Sequence, residues 1–174
     1  ATPCFENVDA VPEIVPVFRL VADQFTAHVV APAIAEAVQH ASLFHGLDRE
    51  QSNCLALGCK IKPFQAGDIL YRRGERDQSV YLVLRGKVGI TLDESDAYVG
   101  YVGRGETLGE MSLLTGTRHF ASARAIEPLE TAVLPHGTLN DLVRARPDIG
   151  VILYHNLALG LGQKLRRADL QAEV

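Results

Sequence analysis

The sequence predicts an α+β fold in which a β-sandwich or β-barrel lies between helical segments. Two patterns predict it: short β-rich runs separated by glycines within residues 41–135, and apolar residues at helical spacing before and after them. Of the 174 residues, 47% are apolar and 22% are charged. Such a composition supports a folded core and excludes extensive disorder. The sequence has no run of about 20 apolar residues, so we expect no membrane span.

Residues 1–40 are expected to form an N-terminal helical extension or linker. Pro32 is expected to kink or restart the helix. Four apolar residues recur at spacings of three and four and so share one helix face: Phe18, Val21, Phe25 and Val29. This face could dock or dimerise, or it could pack on its own domain, and the pattern leaves both interpretations open.

The β-structure is predicted within about residues 60–135. Short strands at intervals of about 8–12 residues with glycine between them are typical of sandwiches and barrels. The run that begins at Val80 is apolar at five successive positions, which predicts a strand buried on both faces. The predicted strands are Asp68–Tyr71, Val80–Leu84, Lys87–Leu92, Tyr98–Val102, Ala121–Ile126 and Thr131–Leu134.

Two C-terminal helices are predicted within about residues 138–170. Thr138 is a candidate N-cap for the first, and Pro147 suits the first position of the second. An apolar stripe, expected to face the core or a dimer seam, comprises Ile149, Leu153, Leu157, Leu161 and Leu165. Cations suited to the C-terminus of this helix are Lys164, Arg166 and Arg167.

Charge, histidine and cysteine content exclude several classes of function. A net charge of −4 argues against a domain that grips nucleic-acid phosphates, so we expect no nucleic-acid partner. The histidines lack metal-ligand spacing and no catalytic grouping is present, so we expect no metal, no other cofactor and no enzymatic activity. Reduced thiols and a cytoplasmic location are expected because no CxxC pair occurs among Cys4, Cys54 and Cys59.

The strongest functional signal is the segment from Gly109 to Ala125. Its glycine should end a strand, and about one helical turn should follow before the chain re-enters the β-structure. Such a turn directs several backbone N–H groups at one point, where they can hold an anion. Glu110 beside it can accept a hydrogen bond from a sugar hydroxyl. An anion-binding turn next to such a carboxylate suits a sugar phosphate.

This segment resembles the phosphate-binding cassette of cyclic-nucleotide-binding domains in kinase regulatory subunits, cyclic-nucleotide-gated channels and catabolite-activator-type regulators. The resemblance covers about residues 41–170, and the domain is assigned to residues 41–174. It implies a jelly-roll-like β-roll, with the last helix as a mobile lid over the base of the ligand. Further motifs that resemble the family are Leu43–Leu47, Phe64–Asp68, Tyr71–Glu75, Val80–Gly86 and Leu165–Arg167.

The resemblance also implies roles for individual residues. Glu110 matches the acceptor of the ribose 2′-hydroxyl, Ser112 matches a position whose backbone N–H faces the cyclic phosphate, and Ser122 matches a position that can touch the base. Ala121 follows the small-residue pattern of the family. The cassette residues assigned to the site on this basis are Gly109, Glu110, Met111, Ser112, Ala121 and Ser122.

Two positions depart from the family pattern. The arginine that clamps the cyclic phosphate falls on His119, and the small residue after it falls on Phe120, whose ring could fill or cover the pocket. Histidine offers one donor and is mostly neutral at pH 7, whereas arginine offers two donors and a permanent charge. His119 could be a weaker phosphate ligand, a ligand for another anion, or a polar residue without a ligand. A one-residue shift could instead place Arg118 in the clamp.

The sequence therefore predicts a regulatory, allosteric domain that binds a cyclic nucleotide, cAMP rather than cGMP, and relays binding through its C-terminal helix to a larger protein. The alternative is a degenerate domain without nucleotide binding that serves as a dimerisation or interaction module. Its partners would then be a second copy or other domains of the parent protein. Direct DNA binding is not expected, since no helix-turn-helix follows the last helix before Val174.

Overall fold

A computed structural model of the protein describes residues 27–92 and 97–172. Its helices are α1 (Ala27–His40), α2 (Arg49–Gly58), α3 (Glu110–Thr115), α4 (His136–Ala145) and α5 (Pro147–Ala172), with a 3₁₀ turn at Ser42–Phe44. Within the described ranges, no helix is both long enough and apolar enough to cross a bilayer.

The described strands form two four-stranded antiparallel sheets that together make the β-roll. The first sheet has the order β1-β8-β3-β6, and the second has the order β2-β7-β4-β5. The predicted α+β architecture is confirmed. The strands are β1 (Lys60–Phe64), β2 (Ile69–Tyr71), β3 (Val80–Arg85), β4 (Val88–Thr91), β5 (Gly100–Val102), β6 (Thr107–Leu108), β7 (Ser122–Ala125) and β8 (Leu129–Leu134).

Each predicted β-rich run contains a strand, and two further strands, β1 and β6, are absent from the prediction. β1 lies at a sheet edge with its first four residues exposed, which is where Pro63 can be tolerated in a strand. β6 has only two residues. The prediction for the run at Val80 is confirmed, because Val80–Val83 are all buried.

Helix α1 continues through Pro32, so the prediction that the helix restarts there is wrong. Ile34 and Val38 are 2% and 1% exposed in a core shared with α2. Phe18, Val21 and Phe25 lie outside the described residues.

At the other end of the chain, α4 begins at His136 with Pro135 as its N-cap. Thr138 therefore lies inside the first turn, and its prediction as the cap is wrong. Helix α5 begins at Pro147 as predicted but runs to Ala172, past the predicted cationic end. The first three residues of its apolar stripe are at most 4% exposed: Ile149, Leu153 and Leu157.

Two hydrophobic cores result. One fills the interior of the β-roll, and the other joins α1, α2, α4 and the first half of α5 to one side of β3 and β8. Polar contacts attach α5 to the other helices of this core, which we call the helical layer. The Asn156 amide of α5 donates to the carbonyl oxygens of Leu43 (3.0 Å) and His45 (2.7 Å). Arg146, the residue before α5, pairs with Glu50 of α2 at 3.0 Å. A movement of α5 would therefore move the helical layer with it.

The expectation of three reduced thiols is wrong at Cys54, which is disulfide-bonded. Cys59 is a free thiol whose Sγ donates to the Leu55 carbonyl oxygen, and burial raises its pKa to about 12. Cys4 lies outside the described residues.

Candidate ligand-binding site

The predicted turn at Gly109 connects β6 to α3, and anion binding by it stays a prediction. Gly109 has φ +86°, and a Cβ at this position would lie 2.3 Å from the Ser79 carbonyl oxygen. Both the left-handed backbone and the close approach therefore require glycine. Helix α3 starts at the next residue and ends at Gly116, which has φ +63°. The chain thus passes from strand to helix with its first N–H groups at the head of the turn.

The first residues of α3 occupy different environments. The Ser112 side chain is 2% exposed and its hydroxyl donates to the Gly109 carbonyl oxygen at 2.8 Å, so it stabilises the turn itself. Glu110 and Met111 are half-buried. Burial, with the carboxylates of Glu110 and Asp77 nearby, raises the pKa of Tyr71 above its ordinary value. Tyr71 therefore belongs to the same site as Glu110.

The chain that returns from α3 to β7 alternates between two faces. His119 and Ala121 are 5% and 4% exposed, whereas Arg118 is exposed and Phe120 is 60% exposed. This alternation is that of an extended segment. We call the side of His119 and Ala121 the inner face, and the side of Arg118 and Phe120 the outer face. The predicted site residues are therefore divided between the two faces.

Arg118 lies on the outer face, where its Nη1 donates to the Gly74 carbonyl oxygen at 2.7 Å. A clamp role for Arg118 stays a prediction. The Phe120 ring also lies on that face and does not fill the inner pocket. Ser122 is half-buried, and its hydroxyl oxygen accepts the Arg73 N–H at 2.9 Å.

His119 faces inward, at the position expected for the clamp. Its ring stacks on that of Tyr71 with centroids 3.7 Å apart and 12° between the planes. Its backbone N–H donates to the Glu75 carbonyl oxygen (3.0 Å), and its carbonyl accepts the Gly74 N–H (2.7 Å). These two bonds fix the backbone of His119 against the turn at residues 72–75, and the stacking on Tyr71 positions its ring. Its Nε2 is buried without a hydrogen-bond partner among the described residues.

The electrostatics of the inner face differ from those of an arginine clamp. Burial lowers the pKa of His119, although the carboxylates of Asp77 and Glu75 act in the opposite direction. Burial opposes ionisation of Asp77, but hydrogen bonds from the Tyr81 hydroxyl (2.5 Å) and the Ser79 N–H (3.0 Å) hold its pKa below the usual range. The imidazole is therefore neutral at pH 7. It can offer one hydrogen bond to a phosphate, but no charge.

Three residues of this site were not assigned to it from the sequence: Tyr71, Asp77 and Tyr81. Tyr71 and Tyr81 lie in predicted strands, and their ring centroids are 5.7 Å apart. The contacts of Tyr71 with His119 and with Tyr81 depend on how β2, β3 and β7 are arranged, which local patterns do not determine. Among the described residues, no group of three or more His, Cys, Asp or Glu side chains is placed to hold a metal ion.

Comparison with known proteins identifies the family to which this fold belongs. Residues 61–146 match the sequence model of the family described as "Cyclic nucleotide-binding domain". The "Cyclic AMP receptor protein" of Thermus thermophilus is 33% identical over 135 residues, which are 76% of this chain and 61% of that protein. "Lysophospholipase nte1" of Aspergillus fumigatus is 34% identical over 89 residues, which are 49% of this chain and 6% of that protein.

The fold of a cyclic nucleotide-binding domain from Methylobacillus flagellatus is also similar. Its TM-score is 0.68 at 26% identity, with 79% of both chains covered. The chain belongs to the cyclic nucleotide-binding domain family. It spans 61% of the Thermus relative and 6% of the Aspergillus relative, so it matches a domain of each.

Proposed function

We propose that this domain is a regulatory module that binds a cyclic nucleotide, cAMP in preference to cGMP, and relays binding to the remainder of a larger protein. The observation that supports it most directly is the turn at Gly109, fixed against Ser79, with Glu110 at the head of α3. This is the arrangement that a ribose hydroxyl next to a phosphate requires. The Thermus relative named "Cyclic AMP receptor protein" makes cAMP the first ligand to test.

In the proposed complex, the N–H groups at the start of α3 receive the cyclic phosphate and the Glu110 carboxylate accepts the ribose 2′-hydroxyl. The Nε2 of His119 donates to a phosphate oxygen when the proton resides on that nitrogen. A buried polar atom without a partner costs about 1–3 kcal/mol. A ligand that supplied one would recover part of that cost. Compared with an arginine clamp, the loss of a charge-assisted bond predicts about ten- to a hundredfold weaker affinity.

The relay would run through α5. A ligand shifts the position of this helix only by binding one arrangement better than the other. The bonds from Asn156 to Leu43 and His45 join the helix to the helical layer, and the pair between Arg146 and Glu50 joins the residue before the helix to α2. We propose that ligand-dependent movement of α5 passes through these contacts. The role proposed is non-catalytic.

A second candidate function is an interaction module that binds no nucleotide. The observation that favours it is the inner face itself, where a neutral His119 lies near the carboxylates of Glu75 and Asp77. The exposed Phe120 ring would then contribute to a contact with another domain or a second copy. Because Cys54 is disulfide-bonded, the cysteine content does not support a cytoplasmic location for either candidate.

Calorimetric titration with cAMP, cGMP and 5′-AMP distinguishes the two candidates. The proposal predicts a saturable heat and a rise in melting temperature with cAMP, weaker effects with cGMP, and none with 5′-AMP at equal concentration. Absence of both signals at millimolar cAMP would refute it. The matched variant is H119R/F120A, which restores the family residues. If that variant binds cAMP and the natural sequence does not, the interaction module is the correct function.

A further inference from the structure

The outer face of the cassette carries a groove that is separate from the inner site. It has a volume of about 640 Å³ and is lined by Arg76, Gln78, Gly116, Thr117 and Arg118. Arg76 lies in the loop before β3, and the other arginine lies in the return segment after α3. Two guanidinium groups from distant parts of the chain therefore border one groove.

Neither of these two arginines forms an ion pair with a described residue. Among the described residues, Arg76 has no hydrogen bond or ion pair, and Arg118 donates only to the Gly74 carbonyl oxygen. The Glu75 carboxylate accepts the Arg72 N–H at 2.8 Å. The Asp77 carboxylate accepts from Tyr81 and Ser79. Both acids accept hydrogen bonds from neutral donors nearby in the chain and form no ion pair with either arginine, so the two guanidinium groups remain available to a ligand.

We propose that this groove binds a phosphate monoester group, either on a small soluble molecule or on a lipid head group. A guanidinium is permanently charged and can donate two parallel hydrogen bonds to phosphate oxygens. The two guanidinium groups and the Gln78 amide, which all line the groove, provide several hydrogen-bond donors for the oxygens of one dianion.

The proposal does not depend on cyclic-nucleotide binding at the inner face. The inner site involves Glu110 and His119, whose environments contain carboxylates, whereas the groove involves Arg76 and Arg118. An anion that enters the groove would contact residues 116–118, at the opposite end of α3 from Gly109. The two sites can therefore be distinguished by which backbone amides respond.

The test is a titration of the ¹⁵N-labelled protein with inorganic phosphate at constant ionic strength, with sodium chloride as the reference. Phosphate should shift the amides of Gly116 and Thr117 saturably, and chloride should not. R76Q and R118Q should each weaken binding about tenfold, and the double variant should abolish it. The matched control is R104Q, because Arg104 is exposed and does not line the groove.

A second arm identifies the source of the phosphate group. Phosphatidylcholine vesicles with and without phosphatidic acid are sedimented with the protein. Binding to the acidic vesicles that the double variant loses supports a lipid source, and binding of inorganic phosphate alone supports a soluble one. Three results would each overturn the proposal: equal shifts with chloride, shifts confined to Glu110 and Met111, and undiminished binding by the double variant. R118K, which keeps the charge, separates loss of binding from disruption of the Gly74 turn.

Discussion

The inner and outer faces of the return segment at residues 118–121 have opposite chemistry, although they alternate along four consecutive residues. The inner face presents a neutral imidazole stacked on Tyr71 near the carboxylates of Glu75 and Asp77. The outer face presents the Arg118 guanidinium and an exposed Phe120 ring. Because side chains of extended chain alternate in direction, moving an arginine by one position moves its charge to the other side. An offset of a single residue thus decides which face can attract an anion.

Gly109→Ala should have the largest effect on this arrangement. Its Cβ would overlap the Ser79 carbonyl oxygen, and its φ of +86° is strained for alanine, so we expect a loss of about 3 kcal/mol in the free energy of unfolding. Urea denaturation measures it. Gly105→Ala is the control, since φ is +80° there but no atom lies within 4 Å of the new Cβ; it should cost only about 1 kcal/mol. Equal losses would show that the close approach to Ser79 does not matter.

The exchange R118H/H119R should reverse the two faces. It moves the guanidinium to the clamp position and removes one cation from the outer groove. We expect about ten- to a hundredfold tighter cAMP binding and about tenfold weaker phosphate binding in the groove. Calorimetry and the amide titration measure the two effects. R118H alone should reduce phosphate binding without affecting cAMP. If the exchange leaves cAMP affinity unchanged in a folded protein, the inner face is not the phosphate site.

The pH dependence of stability should show the smallest effect. Burial lowers the pKa of His119 in the folded protein, so below about pH 6.5 the unfolded chain binds a proton more readily. The contribution of His119 is therefore present above pH 6.5 and is lost as the pH falls from there to the lower folded pKa. H119Q should show a smaller decrease in unfolding free energy between pH 7 and pH 5 than the natural protein. The control H45Q changes an exposed histidine, and its unfolding free energy should decrease as much as that of the natural protein. If H119Q also shows the same decrease as the natural protein, the imidazole of His119 is not buried and neutral.

Local patterns sufficed for much of the fold. Glycine-separated β-rich runs located six of the described strands, and the apolar spacing and Pro147 located the start of α5. β1 was not predicted because four of its five residues are exposed, so burial imposes no alternation on the sequence. The sequence predicts Thr138 as the N-cap of α4 because threonine suits an N-cap position. The helix instead begins two residues earlier, after Pro135.

The candidate site was predictable only in part. The Gly109–Glu110 pair follows from the sequence because glycine is needed where the backbone is left-handed and close to Ser79. Counting from Gly109 also places His119 at the position of the family's arginine, and in the structure this residue faces inward. The stacking of His119 on Tyr71 joins residues 48 positions apart in sequence, and it depends on the pairing of β2 with β7. The outer groove likewise needs the loop at Arg76 to lie beside Gly116, which no local pattern indicates.

The most direct test of cyclic-nucleotide binding is the response of the backbone amides at residues 109–112 to added cAMP, followed by ¹⁵N NMR. We expect these signals to shift saturably. We also expect 2′-deoxy-cAMP, which lacks the hydroxyl assigned to Glu110, to bind about tenfold more weakly. If these amides do not move at millimolar cAMP while the protein remains folded, the turn at Gly109 is not a cyclic-nucleotide site.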